Sequence, residues 1–212
     1  MPKKAIEMFK NVDSPNEILL CLLFNSCAQV RTPEALDFGR RVWYSASEIH
    51  RKDEYNVVAA FDMFIKCGDI YNAEQLFDRM KRITVTYAQM MKCYNDHCMP
   101  KKTIALYEKM KNDNVATDVV TFVLLISACA ELGLDSRCRS IASEIPSSML
   151  SDVKLQTTLI HMWVRNTLFV YLCTTFLQLQ GKVACAKEAK NIFDQIDKPD
   201  SAVYTAMSKL NL

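Results

Sequence analysis

Apolar residues recur at helical spacing along this chain. Ala73, Leu76, Phe77 and Met80 fall at i, i+3, i+4 and i+7, one face of a helix. Ala189, Ile192, Phe193 and Ile196 repeat that spacing. Each such segment follows another apolar one, as in Val120-Thr-Phe-Val-Leu-Leu-Ile-Ser-Ala-Cys-Ala130. Gly68 and Gly133 stand where the first helix of a pair ends, a place suited to left-handed backbone. The pattern predicts helix pairs of 30 to 37 residues stacked side by side. No pair buries its apolar face alone, so stacking supplies the continuous core. The predicted fold class is all-α, a solenoid of stacked antiparallel helix pairs.

The pairs are themselves repeated. Met99-Pro-Lys-Lys-Thr-Ile-Ala-Leu-Tyr-Glu-Lys-Met110 reproduces Met1-Pro-Lys-Lys-Ala-Ile-Glu-Met-Phe-Lys-Asn-Val12 at an offset of 98. Leu124 to Leu132 echoes Leu22 to Val30 at 102, and Ala189 to Ile196 echoes Ala73 to Met80 at 116. A super-repeat of roughly a hundred residues is the economical explanation.

Composition narrows the class. With 50% hydrophobic and 24% charged residues, the chain is not wholesale disordered. Its 4 Gly and 6 Pro in 212 residues also argue against a turn-rich all-β chain. A net charge of +2 neither demands nor forbids a polyanionic partner. The nine cysteines include no Cys-x-x-Cys, and neither Cys21/Cys27 nor Cys93/Cys98 makes a zinc arrangement with His50, His97 or His161. A disulfide framework is not expected, and the simplest compartment is a reducing one. Cys27 and Cys129 fit small buried slots, and Met8, Met80, Met90 and Met110 read as core fillers. No segment reaches the roughly 20 apolar residues of a membrane span, and Thr167 to Gln180 is too short. The N-terminus shows no apolar signal core and no Arg/Ser-rich, acid-free stretch, so no targeting segment is read in it.

These residues resemble pentatricopeptide repeats in the plant-style alternation of P, L and S variants. Residues 84–118 resemble a P repeat, opened by Val85-Thr86-Tyr87, filled by Leu106-Tyr-Glu-Lys-Met110 and closed by Asp118. Residues 119–152 resemble an L repeat, with Val120-Thr-Phe122 opening it and Ala128-Cys-Ala130 in its first helix. Residues 54–83 resemble an S repeat, with Met63-Phe-Ile-Lys-Cys-Gly68 and Ala73 to Met80. Residues 17–53 make a further L and 153–200 a further S; 1–16 resemble the second helix of a P repeat and 201–212 the first. The resemblance implies a right-handed superhelix. The tetratricopeptide family is the near neighbour, but its Trp…Leu-Gly…Tyr spacing is missing: Trp43 lies in a second helix and Trp163 late in a first.

One repeat is long. Trp163 aligns with Phe64 at an offset of 99 but Lys182 with Lys66 at 116, leaving 17 extra residues. Removing Val164 to Gln180 restores an S-type joint and shortens the repeat from 48 to 31 residues. The segment opens on Val, whose codons begin GT, and closes on Leu-Gln, encodable as TTACAG, the two ends of an intron. A retained intron and a genuine helix extension or loop both fit. A second alignment sets Gly181 opposite Gly68, with a 14-residue insert.

The resemblance implies a groove of first helices for single-stranded RNA, one base per repeat, clamped by aliphatic side chains and read on its Watson–Crick edge. It places Val85 and Val120 as a clamp, with Ala88 and Asp118 facing the base edge. Ala88 offers neither donor nor acceptor. The next repeat presents Val123 and Asp152; 17–53 presents Cys21 and Asp53, and 54–83 presents Val58 and Ile83. Only Thr157 with Asp200 forms a combination the family uses, for guanine, whose ring N–H and amino group a hydroxyl and a carboxylate accept. The clamp residue there is Lys154. Thr205 is the base-facing residue of the final partial repeat. Lys66 and Lys182 stand where the family often carries a lysine near the phosphates, though a solvated surface lysine accounts for either.

Many proteins with this alternation end in a cytidine deaminase, whose zinc chemistry needs His-x-Glu and Cys-x-x-Cys. This chain has neither, so no catalytic residue, metal or cofactor is assigned, and the chain is not expected to be an enzyme by itself. The reading is a single-stranded RNA-binding array without catalysis. It belongs to an organellar RNA-processing or C-to-U editing factor, in mitochondrion or plastid by resemblance, with a deaminase or other RNA-processing protein as a further partner and no membrane. The alternatives are a helical scaffold that binds protein, and a gene fragment without function, since Met1 corresponds to Met99 in mid-repeat. Transcripts decide the insert: reads lacking the codons for 164–180 are expected of an intron, and uniform inclusion of a genuine insertion.

Overall fold

The computed structural model describes residues 2–162 together with Lys190 and Asp194. The insert at 164–180, the partial repeat 201–212 and, apart from Lys190 and Asp194, the part of the 153–200 repeat beyond Met162 lie outside the described residues. Two compact units divide the chain between His97 and Cys98. The described secondary structure of both is helical.

The first unit holds α1 (Pro2–Phe9), α2 (Glu17–Val30), α3 (Pro33–Ser45), the short α4 (Glu48–Lys52), α5 (Glu54–Cys67), α6 (Ile70–Phe77) and α7 (Thr84–Asp96). Helix α5 is its centre, packed by α2, α3, α4, α6 and α7. Neighbours around so much of its circumference explain why Ala59, Ala60, Phe61, Met63 and Phe64 are all buried. Small residues let helices approach closely: a Cβ on Gly39 of α3 would run into the Met63 thioether of α5. Edge-to-face pairs of Phe24 with Trp43 (5.8 Å between centroids) and Phe77 with Tyr87 (5.1 Å) tie α2 to α3 and α6 to α7.

Helix starts follow from side-chain caps. Asn16 accepts from the Leu19 amide at 2.9 Å, Asp53 from Asn56 at 2.9 Å and Asp69 from Asn72 at 3.2 Å. Thr32 accepts from the Ala35 amide, with Pro33 in the first helical turn. Helix α7 starts differently. Its N-cap, Ile83, has no side-chain acceptor, and the Thr86 hydroxyl instead accepts from the Ile83 amide at 3.0 Å, half of a capping box. The ends of α2 and α5 are left-handed, at Arg31 (φ 54°) and Gly68 (φ 79°). At Gly68 the amide of Asp69 returns to the Phe64 carbonyl at 2.8 Å, closing the helix as a Schellman turn.

The second unit holds α8 (Pro100–Asn112), α9 (Val119–Leu132), α10 (Asp135–Glu144), a 3-10 turn at Ser147–Met149 and a helix running through 153–162. Asp118 caps α9 through the Thr121 amide at 2.7 Å, and Asp152 accepts from Leu155 at 3.0 Å. Gly133 (φ 66°) ends α9 as Gly68 ends α5. Helix α9 packs on α8 and α10, burying Phe122, Leu125, Ile126, Ala128 and Cys129. Glu144 joins α10 to α8, accepting from the Tyr107 hydroxyl at 2.9 Å and pairing with Lys111 at 3.1 Å.

Three details depart from the sequence reading. Helix α6 ends at Phe77, so Met80 lies half-buried in the following turn, its amide still bonded to the Leu76 carbonyl at 3.0 Å. Met90 and Met110 are core fillers, but Met8 is 64% exposed, because Ile6 is the buried residue of α1. Residues 48–52 form α4, which carries no helical period long enough to read.

Two backbone tests follow. Gly68→Ala forces an L-residue to φ 79° and its Cβ to 2.8 Å from the His97 imidazole. A loss of about 2 kcal/mol is expected in denaturant unfolding, partly recovered when His97→Ala is added. Asp69 caps α6 and takes two hydrogen bonds from Arg40, at 3.0 and 2.7 Å. Burial works to raise its pKa, but bonds from Asn72 and Arg40 outweigh it and hold the carboxyl below its usual range. Its stabilisation is therefore complete above the ordinary aspartate pKa and lost as pH falls through the lowered folded value. Asp69→Ala is expected to cost about 2–3 kcal/mol at pH 7, and the gap from the parent chain should narrow in acid.

Candidate functional site

The first helix of each hairpin turns its opening turn outward. In the first unit Ile18 of α2, Tyr55 of α5 and Val85 of α7 are 65%, 79% and 58% exposed. All three are the second residue of their helix. In the second unit Val120, the second residue of α9, is 53% exposed, and Lys154 is exposed in the corresponding turn of the 153–162 helix. Large apolar side chains repeated at one helical position and left in water mark a surface built for contact. The buried faces of α2 and α9 are turned by Leu20, Leu23 and Phe24, and by Phe122, Leu125 and Ile126.

One turn further on stand the residues that sequence placed at the base edge. Cys21, Ala88, Val123 and Thr157 are half-buried and Val58 is exposed. The Thr157 hydroxyl donates to the Val153 carbonyl at 2.7 Å, which leaves its oxygen lone pairs for an incoming donor. The hairpin-ending aspartates face the same helix starts, but as caps. Asp118 Oδ1 takes both the Thr121 amide and the Thr121 hydroxyl, each at 2.7 Å. Asp53 and Asp152 each commit one oxygen to a backbone amide. A carboxylate used this way keeps its second oxygen for another donor. Ile83, exposed at the start of α7, has no polar atom to offer.

Val85 belongs to the first unit and Val120 to the second. Asp200, Thr205 and Lys182 lie outside the described residues. Lys66 is in place near the end of α5, but its ammonium is 2.7 Å from Asp62, one turn back. A phosphate would compete with that carboxylate. The Asp-x-x-x-Lys spacing was the available signal for this pair. Sequence reasoning also missed Ile18 and Tyr55. With Glu17, Cys21, Leu22 and Asp53 they line an open cleft of about 250 Å³ between α2 and the start of α5.

The surroundings of Cys27, Cys93 and Cys129 disfavour the thiolate. Burial, then Cys67, pushes Cys27 up to about 12; burial, then Asp96, pushes Cys93 up to about 11. Cys129 is raised by its hydrogen bond with Cys138 and by burial. Among the described residues no cluster of three or more His, Cys, Asp and Glu is arranged to hold a metal. No described helix is long and apolar enough to cross a membrane.

Comparison with known proteins places these hairpins. The PPR repeat family model matches residues 84–131 and the PPR repeat model matches 59–83. A chloroplastic pentatricopeptide repeat-containing protein of Arabidopsis thaliana is 26% identical over 210 residues, covering 96% of this chain and 31% of its own length. A second chloroplastic one is 30% identical over 138 residues, 62% of this chain and 14% of its length. A mitochondrial one is 29% identical over 129 residues, 60% of this chain and 23% of its length. The chain thus spans about a third or less of the length of these curated relatives. With two repeat models matched end to end and relatives aligned over nearly its whole length, the chain belongs to the pentatricopeptide repeat family.

Proposed function

We propose that this chain is a single-stranded RNA-binding stretch of an organellar RNA-processing factor of the C-to-U editing kind, recognising RNA without catalysing its chemistry. The observation that carries this is the exposed apolar residue in the opening turn of α2, α5, α7 and α9, with a hairpin-ending aspartate beside it at α5 and α9, Asp53 and Asp118. Bases present apolar faces and a polar edge, and such helix starts meet both. Family membership points the same way, and the relatives named chloroplastic and mitochondrial favour an organelle. In this reading the repeats run 17–53, 54–83, 84–118, 119–152 and 153–200 in L, S, P, L, S order, flanked by partial P repeats at 1–16 and 201–212. The helix starts at Glu17, Glu54, Thr84 and Val119 support that division. Catalysis is assigned to a deaminase or other processing protein acting with it.

Within the array, Thr157 and Asp200 take guanine. A threonine oxygen whose proton already goes to the Val153 carbonyl is oriented to accept, which suits the guanine ring N–H. Val85, Val120 and Lys154 flank bases, Ala88, Asp118, Val123, Asp152 and Thr205 face their edges, and Lys66 and Lys182 lie near phosphates. The Asp62 pair at Lys66 makes that phosphate contact weak.

The test is selection from a random single-stranded RNA pool at fixed salt, with and without Val164–Gln180. A short unpaired motif holding guanine at one place is expected, improved by the deletion. Thr157→Ala should lower affinity for the guanine form by about tenfold, ~1.4 kcal/mol, and leave the adenine form within about twofold. Affinity should fall with salt, at a slope of about −0.7 per phosphate engaged. Equal binding of duplex RNA, or no enrichment by a soluble helical protein, would overturn the reading.

A further inference from the structure

The first-helix face of the first unit differs in its electrostatics from what a polyanion requires. Its two lysines are each held by an aspartate one turn away on the same helix: Lys66 by Asp62 at 2.7 Å and Lys92 by Asp96 at 2.8 Å. Helix α2 contributes no lysine or arginine at all. What remains is acidic. Glu17 is 63% exposed, with His50 Nε2 4.0 Å away, and Asp53 and the exposed Glu54 follow at the start of α5. Arg51 is the exposed cation nearest in sequence, and Lys52 beside it is taken by Glu48 at 2.7 Å.

Between these carboxylates lies the cleft lined by Glu17, Ile18, Cys21, Leu22, Asp53 and Tyr55. Its depth is apolar, and Leu19 and Val58 extend the apolar surface beyond it. Of the carboxylates a base edge would meet here, Glu17 and Asp53, the second already accepts from the Asn56 amide through Oδ1. The phosphates would meet Glu17 and Glu54. An apolar side chain flanked by positive charge meets the opposite conditions: hydrocarbon walls for the side chain, carboxylates at the rim for its neighbours.

We propose that the α2–α5 cleft is a docking site for a protein partner, a segment carrying a leucine- or phenylalanine-sized side chain between lysines or arginines. The site goes beyond the RNA reading and does not depend on it. It assigns the α2–α5 cleft to protein contact and leaves RNA to Val85 of α7 and the first helices that follow it. Leu22 and Tyr55 hold the side chain, and Glu17 and Asp53 hold the flanking charges.

The experiment pans a random 12-residue peptide display library on the immobilised full chain, then titrates the enriched peptides, fluorescein-labelled, by anisotropy. Expected are peptides with one large apolar residue between Lys or Arg. Their affinity should fall tenfold or more in Leu22→Asp and about fivefold in Glu17→Lys, with weakened salt dependence in the latter. Both positions are exposed, so circular dichroism of the variants should match the parent. A 12-nucleotide oligo(U) run in parallel separates the two readings. If Leu22→Asp weakens oligo(U) while no basic peptide is enriched, the cleft is an RNA subsite and the proposal fails with the RNA reading intact. If peptides behave as expected and no RNA binds, the RNA reading alone fails. Enrichment of peptides without basic residues, or binding indifferent to both variants, overturns the proposal.

Discussion

The burial of α5 on several sides at once is the constraint on which the first unit depends. An isolated hairpin of α5 and α6 would leave Ala59, Ala60, Phe61 or Phe64 in water on whichever side lacked a neighbour. With α2 and α3 on one side and α6 and α7 on the other, those residues become interior, and the aromatic chain Phe61–Phe77–Tyr87 runs through them. The site inherits its geometry from this packing. A first helix pressed between neighbours has one strip left, and the opening turn of that strip carries Ile18, Tyr55 and Val85. Their exposure follows from stacking and not from any local preference of those side chains.

Helix boundaries were the most legible part of the fold, because each rests on a residue with a specific local duty. Gly68 and Gly133 announce left-handed ends, and Asp53, Asp118 and Asp152, read as the last residues of their repeats, cap the helices that follow. Where another residue does the same duty, sequence was silent. Arg31 ends α2 at φ 54° with a Cβ, held by its amide to the Cys27 carbonyl and by its guanidinium to Ala28 at 3.4 Å. Met80 satisfied the helical spacing of α6, but one apolar residue at i+7 fits a closing turn equally well. In α2 the difficulty was excess: Glu-Ile-Leu-Leu-Cys-Leu-Leu-Phe is apolar all round, so periodicity could not separate the buried Leu20 and Leu23 from the exposed Ile18 and Leu22.

The candidate site was legible by resemblance at Val85 and Val120, but not at Ile18 and Tyr55, and less so in its charges. Resemblance set Lys66 beside the phosphates, whereas the structure pairs its ammonium with Asp62. It also pairs Lys92 with Asp96 on α7. Intrahelical pairs one turn apart each contribute little stability at a surface, a few tenths of a kcal/mol in helices. Their larger effect here is on the field. Two cations that would have drawn a polyanion are largely neutralised at short range, and the first-helix face of the first unit is left to its apolar side chains and its carboxylates.

The hairpin-ending aspartates show what a helix cap leaves for a second donor. In extended backbone, Asp118 turns its carboxylate to the open end of α9, where Oδ1 satisfies an amide that the helix itself cannot. Any second donor meets the remaining oxygen, already oriented by the cap. Such a carboxylate is a preorganised acceptor that loses little side-chain freedom on binding, and replacing it would loosen the helix start together with the contact. Helix α7 shows the alternative. Thr86 satisfies the Ile83 amide from inside the helix, so the residue that ends the preceding hairpin is released from capping and is an isoleucine. Where a threonine inside the helix takes over the cap, the position before the helix is free to carry any side chain; where an aspartate holds it, the chemistry offered to any ligand is fixed by what the helix requires.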